Sequence, residues 1–173
     1  MPTVNLTLNE VDLLLSVEKK IVIDDKIIEE YNIPSEDGVS FRCNLQSLDG
    51  NEIFLLQVKQ AFNRIKVNLH LQENNQYVGL LRVDYNDIHQ NPMHATDNVP
   101  PIAKKYTGKR IEESHIHFCV SGYGSLAWAI PLTDSDFPIK NISNHEEIMN
   151  ALDAFCKKIN LTTKINYEGR LFS

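Results

Sequence analysis

Two histidines stand one residue apart in Glu113-Ser-His-Ile-His-Phe-Cys-Val-Ser-Gly-Tyr-Gly124, a run with the composition of a buried strand. Residues i and i+2 of an extended chain point to the same side, so His115 and His117 share one face and Ile116, Phe118 and Val120 the other. Two imidazoles about 7 Å apart at Cα, from a rise of ~3.4 Å per residue, suit a metal site, a general acid/base pair or a merely polar sheet face.

Other residues of the same chemistry lie close by in the chain. In Tyr77-Val-Gly-Leu-Leu-Arg-Val-Asp-Tyr85, Arg82 and Asp84 share one face of an otherwise apolar strand. An unpaired buried cation is costly, so Arg82 is read either as a structural partner of Asp84 or another carboxylate, or as a two-pronged phosphate ligand. His89 precedes the Asn91-Pro92 turn, where a loop can aim an imidazole back over the sheet; His94, further along, reads as solvated. Lys104, Lys105, Lys109 and Arg110, in Lys-Lys-Tyr-Thr-Gly-Lys-Arg, lead directly into the histidine strand and are candidates for substrate phosphate, and Tyr123 could stack on a base or cap the sheet edge.

Three functions fit this constellation. The first is metal-independent cleavage of RNA, which needs a base for the 2′-hydroxyl, an acid for the leaving oxygen and a cation for the extra phosphorane charge. His115, His117 and His89 with Arg82 supply these, since an imidazole with an ordinary pKa of about 6.5 offers both protonation states near neutrality. The second is a zinc-type site of three histidines, His-x-His plus a loop histidine, with an open position for water. The third is non-enzymatic: an acidic surface that docks on a basic protein. The first is the leading expectation, with no metal and no cofactor.

The elements that must position these residues are legible from periodicity. Thr7-Leu-Asn-Glu10 has capping-box spacing, and Leu8, Val11, Leu14 and Leu15 recur helically, predicting a helix over about 8–20. Phe41-Arg-Cys-Asn-Leu-Gln-Ser-Leu48, Asp49-Gly50 and Asn51-Glu-Ile-Phe-Leu-Leu-Gln-Val58 read as a hairpin. Arg64-Ile-Lys-Val-Asn-Leu-His-Leu-Gln72 alternates, with His70 on the polar side as a solvated sheet residue. With 114–120 and 126–130 this makes about six antiparallel strands over 39–130. The segment 86–112 is a long loop, of a length that is commonly functional or mobile. Ser143-Asn-His-Glu146 and the stripe Ile148, Leu152, Phe155, Cys156 and Ile159 predict a helix over about 144–158 with His145 exposed in its first turn, and Lys164-Ile-Asn-Tyr-Glu-Gly-Arg-Leu-Phe172 an extended tail that returns to the sheet. The expected fold is α+β: one domain, residues 1–173, with a curved antiparallel sheet between an N-terminal and a C-terminal helix.

Bulk properties narrow the partners. With 173 residues and 42% hydrophobic content, one core is expected. A net charge of -6 opposes wholesale electrostatic binding of nucleic acid, but charge is segregated. Residues 24–37 hold six acids and one lysine, whereas 104–110 hold four cations and no acid. The cysteines, Cys43, Cys119 and Cys156, are three in number and widely spaced, which fits a reducing cytosol rather than a disulfide framework. Neither a signal peptide nor a membrane span is indicated.

Arg82-x-Asp84, His89-x-Asn91-Pro92, His115-Ile-His117, Gly122-Tyr123, Trp128-Ala-Ile-Pro131, Phe155-Cys156, Asn160 and Leu171-Phe172 occur in an order and spacing that resembles an uncharacterised family of small bacterial proteins common in prophages and mobile elements. The sequence departs from that pattern after Asn91-Pro92, where a long lysine-rich segment replaces a short glycine-containing link. The resemblance implies a toxin-like ribonuclease or an anti-defence protein such as an anti-CRISPR, acting on RNA, on the guide RNA of a CRISPR effector, or on the effector itself.

Overall fold

The computed structural model describes residues 3–34, 39–61 and 65–167. The Leu171-Phe172 end of the tail lies outside the described residues. The chain folds as an α+β structure built on one open antiparallel sheet. In order come α1 (Leu8–Ser16), β1 (Lys19–Ile23), β2 (Lys26–Ile28), β3 (Glu30–Ile33), β4 (Phe41–Ser47), β5 (Ile53–Gln60), β6 (Val67–Glu73), β7 (Val78–Tyr85), β8 (His89–Gln90), α2 (Pro101–Lys104), β9 (Arg110–Ile111), β10 (His115–Phe118), β11 (Trp128–Pro131), α3 (His145–Lys158) and β12 (Lys164–Tyr167). Eight strands form the main sheet in the order β11-β10-β7-β6-β5-β4-β1-β2.

The sheet is thus larger than the six strands expected. The additions are β1, which follows the first helix, and β2, which lies within the acidic segment. Asp24 and Asp25 adopt φ of 50° and 61°, the positive angles that a tight turn between twisted strands needs, and so join β1 to β2. The helix at the N-terminus is shorter than its apolar pattern, ending at Ser16 instead of residue 20. Its end is fixed by Lys19, whose ammonium donates to the carbonyls of Leu15, Val17 and Ile159 at 3.0, 2.7 and 2.7 Å. At the other helix Asn144, one residue later than the Ser143 expected, accepts from the Glu147 amide as N-cap, and His145 is exposed as expected.

One sheet face is apolar. Phe54, Leu56 and Val58 of β5, Val67, Leu69 and Leu71 of β6, Leu81, Val83 and Tyr85 of β7 and Ile116 of β10 form a core with Ile148, Leu152 and Phe155 of α3. Burying each such side chain is worth about 1.5–3 kcal/mol, which is what holds the sheet against α3. The opposite face of the same strands carries Gln57, Lys59, Asn68, His70, Arg82, Asp84, His115 and His117.

Segment 86–112 is folded. His89–Gln90 pairs with Arg110–Ile111, the Asn91 amide donates to the Lys109 carbonyl and that of Gly108 to Pro92, and Pro101 opens the single turn of α2. No described helix is long and apolar enough to cross a membrane. The tail Lys164–Tyr167 pairs in parallel with β3 in a separate two-stranded sheet, not with the main one.

Candidate functional site

Strand register gathers the polar residues into two adjacent rows. His70 lies opposite Arg82, and Arg82 opposite His117. One step along, Asn68 lies opposite Asp84, and Asp84 opposite His115. Directly paired residues of antiparallel strands project from the same face, so three strands far apart in sequence present His70-Arg82-His117 and Asn68-Asp84-His115 side by side. Gln57 and Lys59 of β5 extend the rows by one strand.

Asp84 is the hub. Only 2% exposed, it accepts from Asn68 Nδ2 at 2.7 Å on one oxygen and from Arg82 Nε at 2.9 Å on the other. The same Oδ2 lies 2.9 Å from His117 Nε2 and 3.4 Å from His115 Nε2. The outer nitrogen of each ring explains which way round it sits. His117 Nδ1–H donates to the Leu126 carbonyl at 2.9 Å and His115 Nδ1–H to the Glu113 carbonyl at 2.7 Å. In the neutral rings both Nε2 atoms are therefore lone pairs converging on one carboxylate oxygen. Arg82 Nη2 relieves this by donating to His117 Nε2 at 2.9 Å, whereas His115 Nε2 is buried without a hydrogen-bond partner.

Burial governs the protonation of the cluster. It pushes His117 down to about 4, against the pull of Asp84, and lowers His89 as well. Burial alone would raise the Asp84 carboxyl, but hydrogen bonds from His115 and His117, made when their Nε2 carries a proton, and the Arg82 charge outweigh it and hold the group well below the usual carboxylate range. Near neutrality the cluster holds an ionised carboxylate, a guanidinium and, at His117, an uncharged imidazole. A proton arriving at His117 Nε2 would meet Asp84 at hydrogen-bond distance.

His89 roofs the cluster. Its Nε2–H donates to the Ala127 carbonyl at 2.9 Å, and its ring centre lies 4.4 Å from that of His117 and 5.8 Å from that of His115. Asn91, 1% exposed, holds the roof down: its Nδ2 donates to the Ala129 carbonyl and its Oδ1 accepts from the Ala129 amide, both at 2.8 Å.

Arg82, His89, His115 and His117 are thus brought together as the sequence suggested, with Asp84 at their centre. The cationic segment forms a surface network of its own. Lys105 pairs with Asp134 at 3.0 Å, Arg110 with Glu112 at 3.0 Å, and Lys104 lies 4.0 Å from Asp97, while Lys109 sits over the Tyr106 ring. Tyr123 packs edge-on against Trp128 and bonds through its hydroxyl to the His94 carbonyl and the Thr96 amide, which assigns it to the sheet edge. His94 is exposed.

His70 corrects the sequence reading. It is half-buried rather than solvated, its Nε2 is buried with no partner, and burial together with the Arg82 charge lowers its pKa to about 4. With Gln57, Lys59, Asn68, Arg82, Asp84 and Asp87 it lines a polar cleft of about 270 Å³ on the open side of Arg82. The signal was present: Asn68 and His70 alternate with Val67, Leu69 and Leu71 just as His115 and His117 alternate with Ile116. Strand pairing, which the sequence does not display, makes them neighbours of Arg82.

Among the described residues the potential metal ligands are Asp84, His115 and His117, whose donor atoms lie within 4.8 Å of one another. This set of two histidines and a carboxylate differs from the three-histidine set weighed as an alternative, because His89 turns its Nε2 away to Ala127. The model of a family of unknown function, DUF6978, matches residues 6–161. The chain belongs to that family. The match to DUF6978 spans the roof, both polar rows and α3. No curated protein and no solved structure matches the chain.

Proposed function

We propose that this protein cleaves RNA at the Arg82-Asp84-His117 cluster by acid/base chemistry. One observation carries the reading: Arg82 touches both Asp84 and His117 at 2.9 Å while about a third of its side chain stays exposed at the polar cleft. A phosphate entering the cleft meets the guanidinium first, and a planar fork of N–H donors matches its oxygens. The negative charge brought in favours protonation of His117, and Asp84 steadies the imidazolium that results. His117 is then the acid that protonates the leaving oxygen, Arg82 neutralises the phosphorane, and His115 and His89 hold the carboxylate and the ring in place. Such an activity suits a toxin-like or anti-defence protein of mobile elements, with a CRISPR guide RNA among the substrates to try.

A second reading rests on the convergence of the Asp84, His115 and His117 donors. Histidines that give Nδ1–H to a backbone carbonyl and turn Nε2 inward are arranged as metal-bound histidines are, and two histidines with one carboxylate suit a divalent transition metal.

Labelled RNA, with guide RNA free and in complex with its effector, incubated with wild-type protein and His117→Ala, in EDTA and in added zinc, separates the readings. Cleavage that survives EDTA and disappears in the variant is expected. Cleavage that needs zinc selects the metal reading, and an uncut RNA with an effector that co-purifies replaces both with inhibition by binding.

A further inference from the structure

The acid/base reading leaves one role open. His115 and His117 aim their Nε2 atoms at the same oxygen of Asp84, so they stand on one side of any phosphate held by Arg82. Cleavage by the 2′-hydroxyl requires the attacking and leaving oxygens to lie roughly in line across phosphorus, so the base must come from the other side. His70 is the residue there. It pairs across the strands with Arg82, as His117 does from the opposite flank, which sets the two imidazoles about 10 Å apart at Cα, two strand spacings of about 4.8 Å, with the guanidinium between them.

Resting on that reading, we propose that the cleft lined by Gln57, Lys59, Asn68 and His70 is the seat of the scissile phosphate of a single RNA strand, and that His70 is the base. The chemistry of its surroundings suits the part. Among the described residues no carboxylate is in hydrogen-bond contact with it, and burial and the Arg82 charge keep it uncharged near neutrality and able to take a proton, in contrast to His117, whose charged form has Asp84 beside it. Lys59, opposite Asn68, adds a second cation at the cleft for the neighbouring phosphate. In the step itself His70 takes the proton of the 2′-hydroxyl, the 2′ oxygen bonds to phosphorus, the bond from phosphorus to the 5′ oxygen breaks, and His117 gives that oxygen its proton. The products are a 2′,3′-cyclic phosphate and a 5′-hydroxyl, and no co-reactant is consumed.

Leaving-group chemistry tests the assignment. Rates are measured on dinucleoside monophosphates and on uridine 3′-(p-nitrophenyl phosphate), whose leaving group needs no acid. His117→Ala should lose about 10²–10⁴-fold on the dinucleotides and recover most of that on the nitrophenyl ester. His70→Ala and His70→Gln should lose a similar factor on both substrates, with unchanged denaturation midpoints. Wild-type rates in both His70 variants overturn the proposal and leave cleavage by the cluster standing. Wild-type protein that cuts neither substrate ends the cleavage reading, and imidazole NMR with inorganic phosphate then decides the cleft. A His70 titration midpoint that rises in the wild type but not in Arg82→Gln supports the phosphate seat; a midpoint that does not move overturns it.

Discussion

Two cations in this molecule, Lys19 fully buried and Arg82 half-buried, have opposite surroundings. Lys19 has no exposed surface and gives its three protons to three backbone carbonyls, joining the end of α1 to the turn after α3. Arg82 is satisfied by side chains, the Asp84 carboxylate and the His117 ring, and keeps part of itself in the cleft. Carbonyls neither titrate nor move, so Lys19 is a fastener. The partners of Arg82 change charge with a proton, so that cation sits where chemistry can be switched.

The sharpest way to break the comparison is at the titratable partner. If the proposed cleavage holds, Asp84→Asn, which keeps the shape and removes the charge that steadies His117, should lower it about 10²–10³-fold, read as kcat, whereas the same assay on Lys19→Met should show folded protein of near-normal rate. Stability should reverse the order. Lys19→Met orphans three carbonyls, each costing about 1–3 kcal/mol when left unpaired, and a loss of about 3 kcal/mol is expected by urea denaturation, against a smaller loss for Asp84→Asn.

Acid sharpens the contrast. His70 and His117 have pKa values lowered to about 4 from an unfolded value of about 6.5, so between pH 6.5 and 4 the unfolded chain binds more protons and stability falls as pH falls. The Lys19 ammonium, lowered by burial to about 8, is charged in both states there and adds no slope. Urea midpoints at pH 6.5 and 4.5 should therefore fall in the wild type and fall less in His70→Gln. The smallest effect belongs to the surface cations. Lys105→Ala and Arg110→Ala break exposed pairs worth about 0–1 kcal/mol and should leave melting temperature and cleavage rate nearly unchanged; a large loss of rate would move the RNA track onto segment 104–110.

How much of this was legible beforehand follows from the range of each signal. The histidine strand, α3 and the apolar faces rest on periods of 2 and 3.6 within one element, and these survive intact. The end of α1 was misplaced because Lys19 acts through Ile159, 140 residues away. The acidic segment hid β2 because two aspartates read as surface charge also adopt the backbone angles of a hairpin turn. His70 was passed over because only pairing in register brings it to Arg82. Asp84 was read as one arginine's partner, while its place among two histidines depends on β10 lying beside β7.

The hold of Asn91 on Ala129 has a further consequence. β11 is an outer strand of the sheet, and an outer strand with free backbone groups is a template for another chain to pair with. Asn91 mimics the missing neighbour with one side chain, and His89 takes the Ala127 carbonyl next to it. The roof over the histidines is thus also what keeps one copy of this protein from adding its sheet to the next, and Asn91→Ala should yield self-association as readily as an opened site.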